Sequence, residues 1–431
     1  MNRRLLLQHT PPEARGGEWV TSVRLLDENE RGGDRRLVGA FEMAVMGPAA
    51  LRGGASPFFP IALIVAMRLG LPLRVEGVLP PRWRRSMVRF QEVTRRWFGE
   101  RFHVVPFEAE FADAPLAADP DTRAAFFSCG VDSFHAALRP DTTHLLYVDG
   151  FDLPLHETVH RRRAEDGARQ AAKMLGMPLW RVSTNARLLL DTHAKHGEIG
   201  AVVLGAAARL MTGSLGGVTV GGSYRWDTAF KGSDHFLLID CFSADDLPVA
   251  SDGIHLERLD KIRAIGSHPA VQSHLRVCWN PENTPVGVSS PNCRQCEKCC
   301  RTRLQFAILG FDGLVKTLPP LDDDVYQALE GIRSDSALFW KLAAEHLAKH
   351  DPDSPVLARL LPKIRQWRAD DWSEALWRLG KGSTSHSHWP ALARRLLKPL
   401  LATIQPDDPK QSSWLRRRTR EALHTTGGRI R

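Results

Sequence analysis

The protein is a chain of 431 residues in which 43% are hydrophobic and 25% are charged, with a formal net charge of +9. This length exceeds the usual limit of a single hydrophobic core, and the composition excludes a disordered or fibrous protein, so we expect two or three globular domains. The apolar run near the amino terminus is too short for a signal peptide, and the longest apolar stretch, Pro57–Met67, is too short to span a bilayer. These features predict a cytoplasmic protein without a membrane partner.

Residues 1–111 are predicted to form a mixed α/β extension. Short runs with strand character alternate with segments of helical length. The strands are predicted at 19–28, 35–45 and 71–77, and the helices at 57–70 and 81–99. The next stretch, Ala112–Thr122, is rich in Ala, Pro and Asp and is typical of a linker.

A strict alternation of strands and helices begins at Arg123. Strands are predicted at 124–128, 144–150, 178–183 and 217–224, with a helical segment between each pair. This order implies right-handed βαβ units and a parallel sheet. Such sheets bind ligands at the carboxyl ends of their strands. The loops of interest therefore follow Ser128, Val148, Ser183 and Val220.

Residues 225–317 show no regular pattern, whereas residues from 318 onward are predicted to be helical. The final segment, 391–431, holds ten basic and three acidic residues, so +7 of the net charge lies there. Such a tail could attract a nucleic acid or an acidic protein partner, and it could equally be a solvated helix face with a frayed end. The predicted organisation is an N-terminal extension at 1–111, a central domain at 123–317 and a helical region at 318–431.

The first strand–helix junction after Arg123 reads FFSCGVDSF and places polar residues at Ser128, Asp132 and Ser133, with Gly130 between them. Hydroxyls and the free N–H groups of a helix start attract an anion, a glycine allows close backbone approach, and Asp132 could hold Mg²⁺ on phosphates. The alternative interpretation is a helix cap without a ligand. The chain contains no Walker-type phosphate loop.

This junction resembles the S-G-G-x-D-S loop of the PP-loop ATP pyrophosphatase superfamily, with Cys129 in place of the first motif glycine. Members cleave ATP between the α- and β-phosphates, adenylate a substrate oxygen and release pyrophosphate. The resemblance implies nucleotide or substrate contacts from three sets of residues. They are Ser128, Gly130, Val131, Asp132 and Ser133 in the loop, Val148, Asp149 and Gly150 after the second strand, and Gly221, Gly222 and Ser223 after the fourth.

Cys129 is the residue of this loop that departs from the family pattern. If its position requires a left-handed backbone, a cysteine there costs about 1 kcal/mol and weakens nucleotide affinity. The thiol could be a substituted spacer, or it could be a nucleophile.

Cys278, Cys293, Cys296 and Cys299 follow a C-x14-C-x2-C-x2-C spacing. In a reducing compartment this clustering favours metal ligation over disulfides. Four thiolates close a tetrahedral Zn²⁺ site and leave no open position, which predicts a structural metal. Two alternatives stay open at this point, because Cys300 could replace Cys299 and an iron–sulfur cluster could replace zinc.

A PP-loop domain followed by a four-cysteine zinc site, here at 278–300, resembles the 7-cyano-7-deazaguanine synthases of queuosine-precursor biosynthesis and their relatives. Those enzymes adenylate the carboxylate of 7-carboxy-7-deazaguanine and use ammonia to form the amide and then the nitrile. The resemblance covers about Arg123 to Arg303. It implies a PP-loop fold with ATP, Mg²⁺ and Zn²⁺, a small acid or deazaguanine-like substrate, and ammonia or an amine as nitrogen donor. Self-association as a homodimer is left open.

The longer relatives carry a recurring Arg-x-x-Lys, which Arg258 and Lys261 match on a predicted helix. By this resemblance the two cations, together with Asp132, are the candidate catalytic residues, and they would neutralise an α-phosphate or a substrate carboxylate. The alternative is a surface helix near the cysteines. We therefore predict an ATP-dependent ligase that activates a carboxylate or amide for attack by a nitrogen nucleophile.

Other functions also fit parts of the sequence. A PP-loop enzyme that modifies tRNA would account for the basic tail, and a catalytically degenerate nucleotide-binding scaffold would account for Cys129. The segment His156–His160 reads HETVH and matches the H-E-x-x-H motif of zinc proteases. Arg163 and Asp166 stand where a metzincin needs Gly and His, so we do not expect protease activity.

Overall fold

The computed structural model describes residues 3–29, 35–46, 54–112, 118–153, 155–227, 231–232, 234–278, 290–331 and 334–364. Within these ranges the fold is α/β, and a mostly parallel sheet of eleven strands forms its centre. The chain divides into two compact units, which lie within Met1–Asp335 and Ser336–Arg431. The basic segment 391–431 lies outside the described residues.

The strands all hydrogen-bond within one sheet of the first unit. In chain order they are β1 (Arg3–His9), β2 (Glu13–Arg15), β3 (Glu18–Asn29), β4 (Arg35–Met46), β5 (Leu73–Leu79), β6 (Phe107–Phe111), β7 (Arg123–Phe126), β8 (His144–Asp149), β9 (Leu179–Thr184), β10 (Gly217–Gly221) and β11 (Val249–Asp252). Their order across the sheet is β11-β10-β7-β8-β9-β4-β3-β1-β5-β6, and β2 pairs with β3 at the side of this path.

The helices differ widely in length. They are α1 (Phe59–Leu69), α2 (Trp83–Phe98), α3 (Val131–Ala137), α4 (Thr158–Leu175), α5 (Arg187–Leu190), α6 (His196–Leu210), α7 (Phe236–Ile239), α8 (Arg258–Ile265), α9 (Pro269–His274), α10 (Glu297–Ala307) and α11 (Ser334–His350). Helical backbone also covers 355–364, and 3₁₀ turns cover Asp240–Phe242 and Asp323–Gly331. In the part of the chain that the structure describes, no helix combines the length and apolar character needed to cross a membrane.

The predicted parallel sheet is confirmed for β7 to β10, since β7 pairs in parallel with β8 and β10, and β8 pairs in parallel with β9. The sequence does not predict β11, which extends the parallel part beside β10. From β7 the chain proceeds through β8 and β9 to one side and then returns to place β10 and β11 on the other side. The strand order therefore reverses between β7 and β10. In open α/β sheets the crevice at the carboxyl ends of such a strand pair is the usual ligand site.

The N-terminal strands continue the same sheet, because β4 pairs antiparallel with β9 through Met43 opposite Thr184. The predicted segments 1–111 and 123–317 thus share one sheet. The sequence does not predict β1, whose three leucines, Leu5 to Leu7, are all buried. A strand covered on both faces lacks the alternation that marks a half-buried strand, so its periodicity gives no signal.

Helices cover both faces of the sheet. Along β8, Leu146 packs into a core with α1, α2 and α6, whereas Leu145 and Tyr147 pack into a second core with α3, α4, α8 and α10. This division follows from the pleat, which points successive side chains to opposite faces. Helix α1 is the longest apolar stretch of the sequence, and it is buried all round between sheet and neighbouring helices, as a helix of this composition should be.

The buried carboxylate of Asp149, at the end of β8, forms ion pairs with arginines of two other elements, α4 and β9. Arg161 of α4 donates Nε to Oδ1 at 2.8 Å and Nη2 to Oδ2 at 2.6 Å, and Arg181 of β9 donates Nη2 to Oδ2 at 2.6 Å. Burial raises the pKa of Asp149, but the hydrogen bonds and charges of the two arginines lower it further, so it lies below its ordinary value. This ion-pair network is a structural tie between β8, β9 and α4.

Replacing Asp149 with Asn should lower the free energy of unfolding by about 1.5–3 kcal/mol near neutral pH, because the half-buried Arg161 loses its carboxylate partner and Arg181 keeps only Glu18 and Glu165. The folded-state pKa of Asp149 lies below the ordinary 3.8, so the charge stabilises the fold above that value, and this contribution is lost as the pH falls below it. Urea unfolding should therefore show a gap between wild type and Asp149→Asn that narrows in acid. An equally large gap at all pH values would contradict the assignment, and the exposed Asp141→Asn is the control.

Candidate functional site

The switch between β7 and β10 brings two of the predicted residue sets together. The loop from Ser128 to Ser133 follows β7, and Gly221–Ser223 follows β10. A Cβ at Gly221 would lie only 2.4 Å from the carbonyl oxygen of Asp132, so only a glycine lets the end of β10 approach the start of α3 this closely. The two strand ends thus meet at the edge of the sheet where open α/β sheets usually bind ligands, and we call this place the switch-point crevice.

The loop after β7 has its left-handed residue at Cys129, with φ 60°, whereas Gly130 is extended with φ −78° and ψ 167°. The hydroxyl of Ser133 closes the loop, because it accepts a hydrogen bond from the N–H of Ser128 at 3.3 Å and donates one to the carbonyl of Gly130 at 3.0 Å. Cys129, which stands where the S-G-G-x-D-S loop has its first glycine, therefore has the left-handed backbone that favours glycine.

The thiol of Cys129 points into the apolar core beside Phe127 and Phe134 and is almost fully buried. Burial raises its pKa to about 12, an effect that the charge of Arg276 only partly offsets. At neutral pH the thiol is protonated, and a protonated thiol is a poor nucleophile. The geometry therefore favours a packing role for this side chain.

Asp132, in the first turn of α3, meets the two predicted catalytic cations of α8. Arg258 donates Nη1 to Oδ2 at 2.8 Å, and Nζ of Lys261 lies 3.5 Å from Oδ1. Lys261 also donates to the carbonyl of Gly222 at the end of β10. The structure thus joins Asp132 to residues 126 and 129 positions away in sequence.

The charges around Asp132 are predominantly positive. Burial raises the pKa of its carboxyl, but the attraction of Arg258, Lys261 and Lys298 lowers it further, so the net value is below the ordinary one. Burial and repulsion from Arg301 and Arg258 lower the pKa of Lys298 to about 8. The pKa of Arg301 falls to about 10, with burial and the charge of Arg258 as the main causes.

Lys298 and Arg301 lie on α10 and were missed by the sequence prediction, which considered this segment only for its cysteines. Helix α3 has only seven residues, so its own dipole contributes less than these side-chain charges do. The positive potential at the switch point thus comes from residues contributed by α8 and α10. Buried like charges at one point are costly unless an anion accompanies them, so the arrangement suits an anionic ligand.

Arg276 is a second residue that the sequence did not predict. Its backbone N–H donates to the carbonyl of Cys129 at 2.8 Å, and its Nε donates to the carbonyl of Ser128 at 3.3 Å. Its Nη2 donates to Asp152 at 2.8 Å. The nearly buried Arg276 therefore fixes the loop after β7 through these hydrogen bonds. It lies two residues before the first cysteine of the cluster. An isolated arginine in an irregular segment offers no local signal for such a role.

The four predicted cysteines converge. The sulfurs of Cys278, Cys293, Cys296 and Cys299 lie within 4.8 Å of one another. Two of the separations are 3.8 Å, between Cys278 and Cys296, and 4.0 Å, between Cys293 and Cys299. A tetrahedron with metal–sulfur bonds of 2.3 Å has edges of about 3.8 Å, so the cluster fits a single ion such as zinc, whereas a multi-iron cluster would need room between its ligands.

The adjacent Cys300 is not part of this group. Its thiol donates to the carbonyl of Gln295 at 3.4 Å, which turns it away from the other four sulfurs. The buried Asn292 supports the site from outside, because its Oδ1 accepts the N–H groups of Val277 at 2.8 Å and Cys278 at 3.1 Å. This amide links the extended segment that carries Cys278 to the turn that carries Cys293.

Val148–Gly150, the remaining predicted set, is shaped by packing within the sheet. The carboxylate of Asp149 is held by Arg161 and Arg181 as described above. Gly150 has φ 86°, and a Cβ there would lie 2.1 Å from the carbonyl oxygen of Thr184, so the turn requires glycine for space and conformation. A nucleotide contact from this turn stays a prediction.

The HETVH segment does not form a zinc-protease site in the described structure. His156 lies before α4, which begins at Thr158, and its side chain is 80% exposed. The two histidines therefore do not share a helix face. Among the described residues, the four-cysteine cluster is the one group of three or more potential metal ligands.

No family model, curated protein or solved structure matches this chain.

Cys293→Ser should remove one of the four metal ligands, because a serine hydroxyl is not deprotonated as readily as a thiol. Elemental analysis of the purified wild type should find about one zinc per chain, and the variant should lose most of it. Cys300→Ser is the matched control and should keep the metal. Iron with visible absorbance in the wild type, or zinc loss from Cys300→Ser alone, would contradict the assignment.

The left-handed backbone of Cys129 predicts an order of stability between two variants that both remove the thiol. Cys129→Gly relieves the strain, whereas Cys129→Ala keeps it, so the glycine variant should be more stable by about 1 kcal/mol. At an ordinary helical or extended position the order is reversed. Chemical denaturation of both proteins measures the difference, and an alanine variant at least as stable as the glycine variant would refute the strain.

Proposed function

We propose that the protein is an ATP-dependent adenylating enzyme. It would cleave ATP to AMP and pyrophosphate and transfer AMP to a substrate carboxylate, or to an amide oxygen, which a nitrogen nucleophile then attacks. The observation that carries this proposal is the cluster of Arg258, Lys261, Lys298 and Arg301 around Asp132 at the switch point of the parallel sheet. Asp132 and Glu297, which lies 3.7 Å from Arg301, offset two of these four charges, and the remaining excess of +2 attracts an anion such as a triphosphate.

Each residue set has a role in this proposal. The loop Ser128–Ser133 would hold the leaving pyrophosphate through its N–H groups and hydroxyls. Arg258 and Lys261 would neutralise the charge that develops at the α-phosphate, and Gly221–Ser223 would line the substrate side of the crevice. The acceleration would come from positioning and charge neutralisation, as is usual where the chemistry at phosphorus needs no covalent help from the protein.

Magnesium would accompany the nucleotide. Asp132 is the one carboxylate of the loop that could bind the magnesium ion, and it is ion-paired with Arg258 and Lys261. This agrees with the usual binding of Mg²⁺, which takes one or two carboxylates and otherwise phosphates and water. When bound, the ion would neutralise phosphate charge, and Asp132 would exchange part of its contact with the two cations for it.

The bond changes balance without a further co-reactant. The carboxylate oxygen bonds to the α-phosphorus as the bond to the pyrophosphate breaks, giving an acyl adenylate. Ammonia or an amine then attacks the acyl carbon, AMP leaves with the bonding electrons, and the nitrogen loses a proton. The acid would be small and deazaguanine-like, as the resemblance implies. The metal at the cysteines would be structural, because four thiolates leave no position for a substrate.

The direct test is ATP–pyrophosphate exchange with a panel of small acids that includes 7-carboxy-7-deazaguanine. Asp132→Ala should lower the exchange rate at least about 100-fold, because the cations that Asp132 orders lose their counter-charge. The magnesium ion would also lose its carboxylate ligand. The exposed Asp141→Ala, which lies beyond the end of α3, should exchange at the wild-type rate. Equal exchange in Asp132→Ala and wild type would eliminate the adenylation site at this loop.

A second candidate is a nucleotide-binding scaffold without turnover, and the strained Cys129 is the observation that favours it. A side chain at the left-handed position could alter the loop enough to hold ATP but not to release pyrophosphate. Isothermal titration with ATP, combined with an assay for released AMP, separates the two candidates. Tight binding without AMP in the presence of every acid tested would favour the scaffold.

A further inference from the structure

Helix α2 presents an outer face of arginines that the site described above does not use. Its inner residues, Trp83, Met87 and Phe90, are buried in the core. Its outer residues are exposed and mostly basic. We call this set the arginine row: Arg82, Arg84, Arg85, Arg89, Arg95 and Arg96. Glu92 is the exposed acid among them.

The arginine row is much more positively charged than the rest of residues 1–390. The six arginines and Glu92 give 82–98 a net charge of +5. The full chain carries +9, of which +7 lies in 391–431, so residues 1–390 together carry only +2. Outside the row, the charges of these residues therefore sum to a negative value. This contrast concentrates positive potential along one helix.

Half of the arginine row has contacts within the protein, and the other half is available to a partner. Arg82 lies 3.6 Å from the carboxylate of Asp245, Arg84 stacks 4.3 Å over the ring of Phe111, and Arg89 donates to the sulfur of Cys241 at 3.4 Å. Within the ranges that the structure describes, Arg85, Arg95 and Arg96 form no ion pair with an acidic side chain. These three arginines are exposed and carry a charge that no acidic side chain of the described residues neutralises by an ion pair.

The carboxyl end of α2 is connected to the switch-point crevice. The ring of Trp97 lies 4.8 Å from the ring of His235, and the neighbouring Asp234 accepts a hydrogen bond from Ser223 at 2.8 Å. Ser223 follows Gly222, whose carbonyl binds Lys261. The row therefore ends a few residues from the edge of the crevice, so that a long ligand on the row could reach it.

We propose that the arginine row binds the phosphate backbone of a nucleic acid. From Arg82 to Arg96 the helix rises about 21 Å, which matches about six phosphates along one strand of a duplex. Arginine suits this partner because its planar fork donates two hydrogen bonds to one phosphate. The proposal does not depend on adenylation, since it rests on a face of the protein outside the crevice.

An anionic membrane is the other partner that a basic helix can have. A helix that lies in a membrane interface inserts its apolar face among the lipids. The apolar face of α2 is occupied, because Trp83 donates to the carbonyl of Phe242 at 3.3 Å and Phe90 packs 5.2 Å from the ring of Phe242. Only the charged face remains for a partner, and a charged face alone fits a phosphate backbone better than a bilayer.

The test uses the full chain and three binding partners, measured by fluorescence anisotropy over a series of salt concentrations: a labelled RNA duplex, the same sequence as DNA, and vesicles of phosphatidylserine with phosphatidylcholine. The variant is Arg85→Gln, Arg95→Gln, Arg96→Gln in one protein. The control is Arg24→Gln, Arg36→Gln, Arg74→Gln, which removes the same charge from exposed arginines on strands. Both keep the basic segment 391–431, so its contribution cancels.

We expect the row variant to bind nucleic acid roughly 50- to 150-fold more weakly at about 0.15 M salt. The slope of log affinity against log salt concentration should be smaller in magnitude by about two to three units, because each phosphate contact adds about 0.7–0.9 to that slope. The control should bind like wild type, and comparing RNA with DNA identifies the preferred strand. Equal affinity of variant and wild type, an equal loss in the control, or a loss of vesicle binding alone would overturn the proposal.

ATP–pyrophosphate exchange by the row variant separates this proposal from the proposed function. Exchange with a small acid should stay at the wild-type rate in the variant, because none of its three substitutions touches the crevice. Loss of nucleic-acid binding with unchanged exchange supports the row. A protein that binds nucleic acid through the row but exchanges nothing with any acid would refute adenylation and leave the row standing.

Discussion

The carboxylate of Asp132 and the cations of α8 depend on one another. Arg258 and Lys261 are nearly buried, and two such charges without a partner would strongly destabilise the fold. Asp132 would be equally costly without them. Because Lys261 also binds the carbonyl of Gly222, this one cluster fastens α3, α8 and the end of β10 at the switch point. The switch point has the arrangement described above because these charges meet there.

The cysteine cluster supports the same crevice from behind. Helix α10 starts at the cysteines and carries Lys298 and Arg301 toward Asp132, so a metal at the cysteines would fix the start of the helix that supplies two of the cations. On the other side, Arg276 holds the loop after β7 and precedes Cys278 by two residues. The cysteine cluster therefore helps to position charged residues at the switch point, as a structural metal site does.

The predicted site residues have different uses in the fold. Ser133 closes the loop by hydrogen bonds, Gly221 allows two backbones to approach, and Asp149 serves an ion-pair network with Arg161 and Arg181. A motif identifies residue types that a phosphate site needs, but the same types also serve turns, close contacts and buried pairs. The cations of α10 are the opposite case, because they belong to no recognisable phosphate motif and yet add to the positive charge that Arg258 and Lys261 place at Asp132.

The sequence by itself determined the parallel strands and helices from β7 to β10, the loop at Ser128–Ser133 and the set of four cysteines. Periodicity, helix length and C-x2-C spacing are properties of neighbouring residues, and neighbours can be read directly. Only the tertiary structure decided that Cys129 takes the left-handed position, that Cys300 turns away from the cluster, and that Arg276 holds the loop. Arg276 reaches the loop from 148 positions away, and Cys300 turns away because its thiol donates to the carbonyl of Gln295 in the folded turn. Neither contact is encoded in a local sequence pattern.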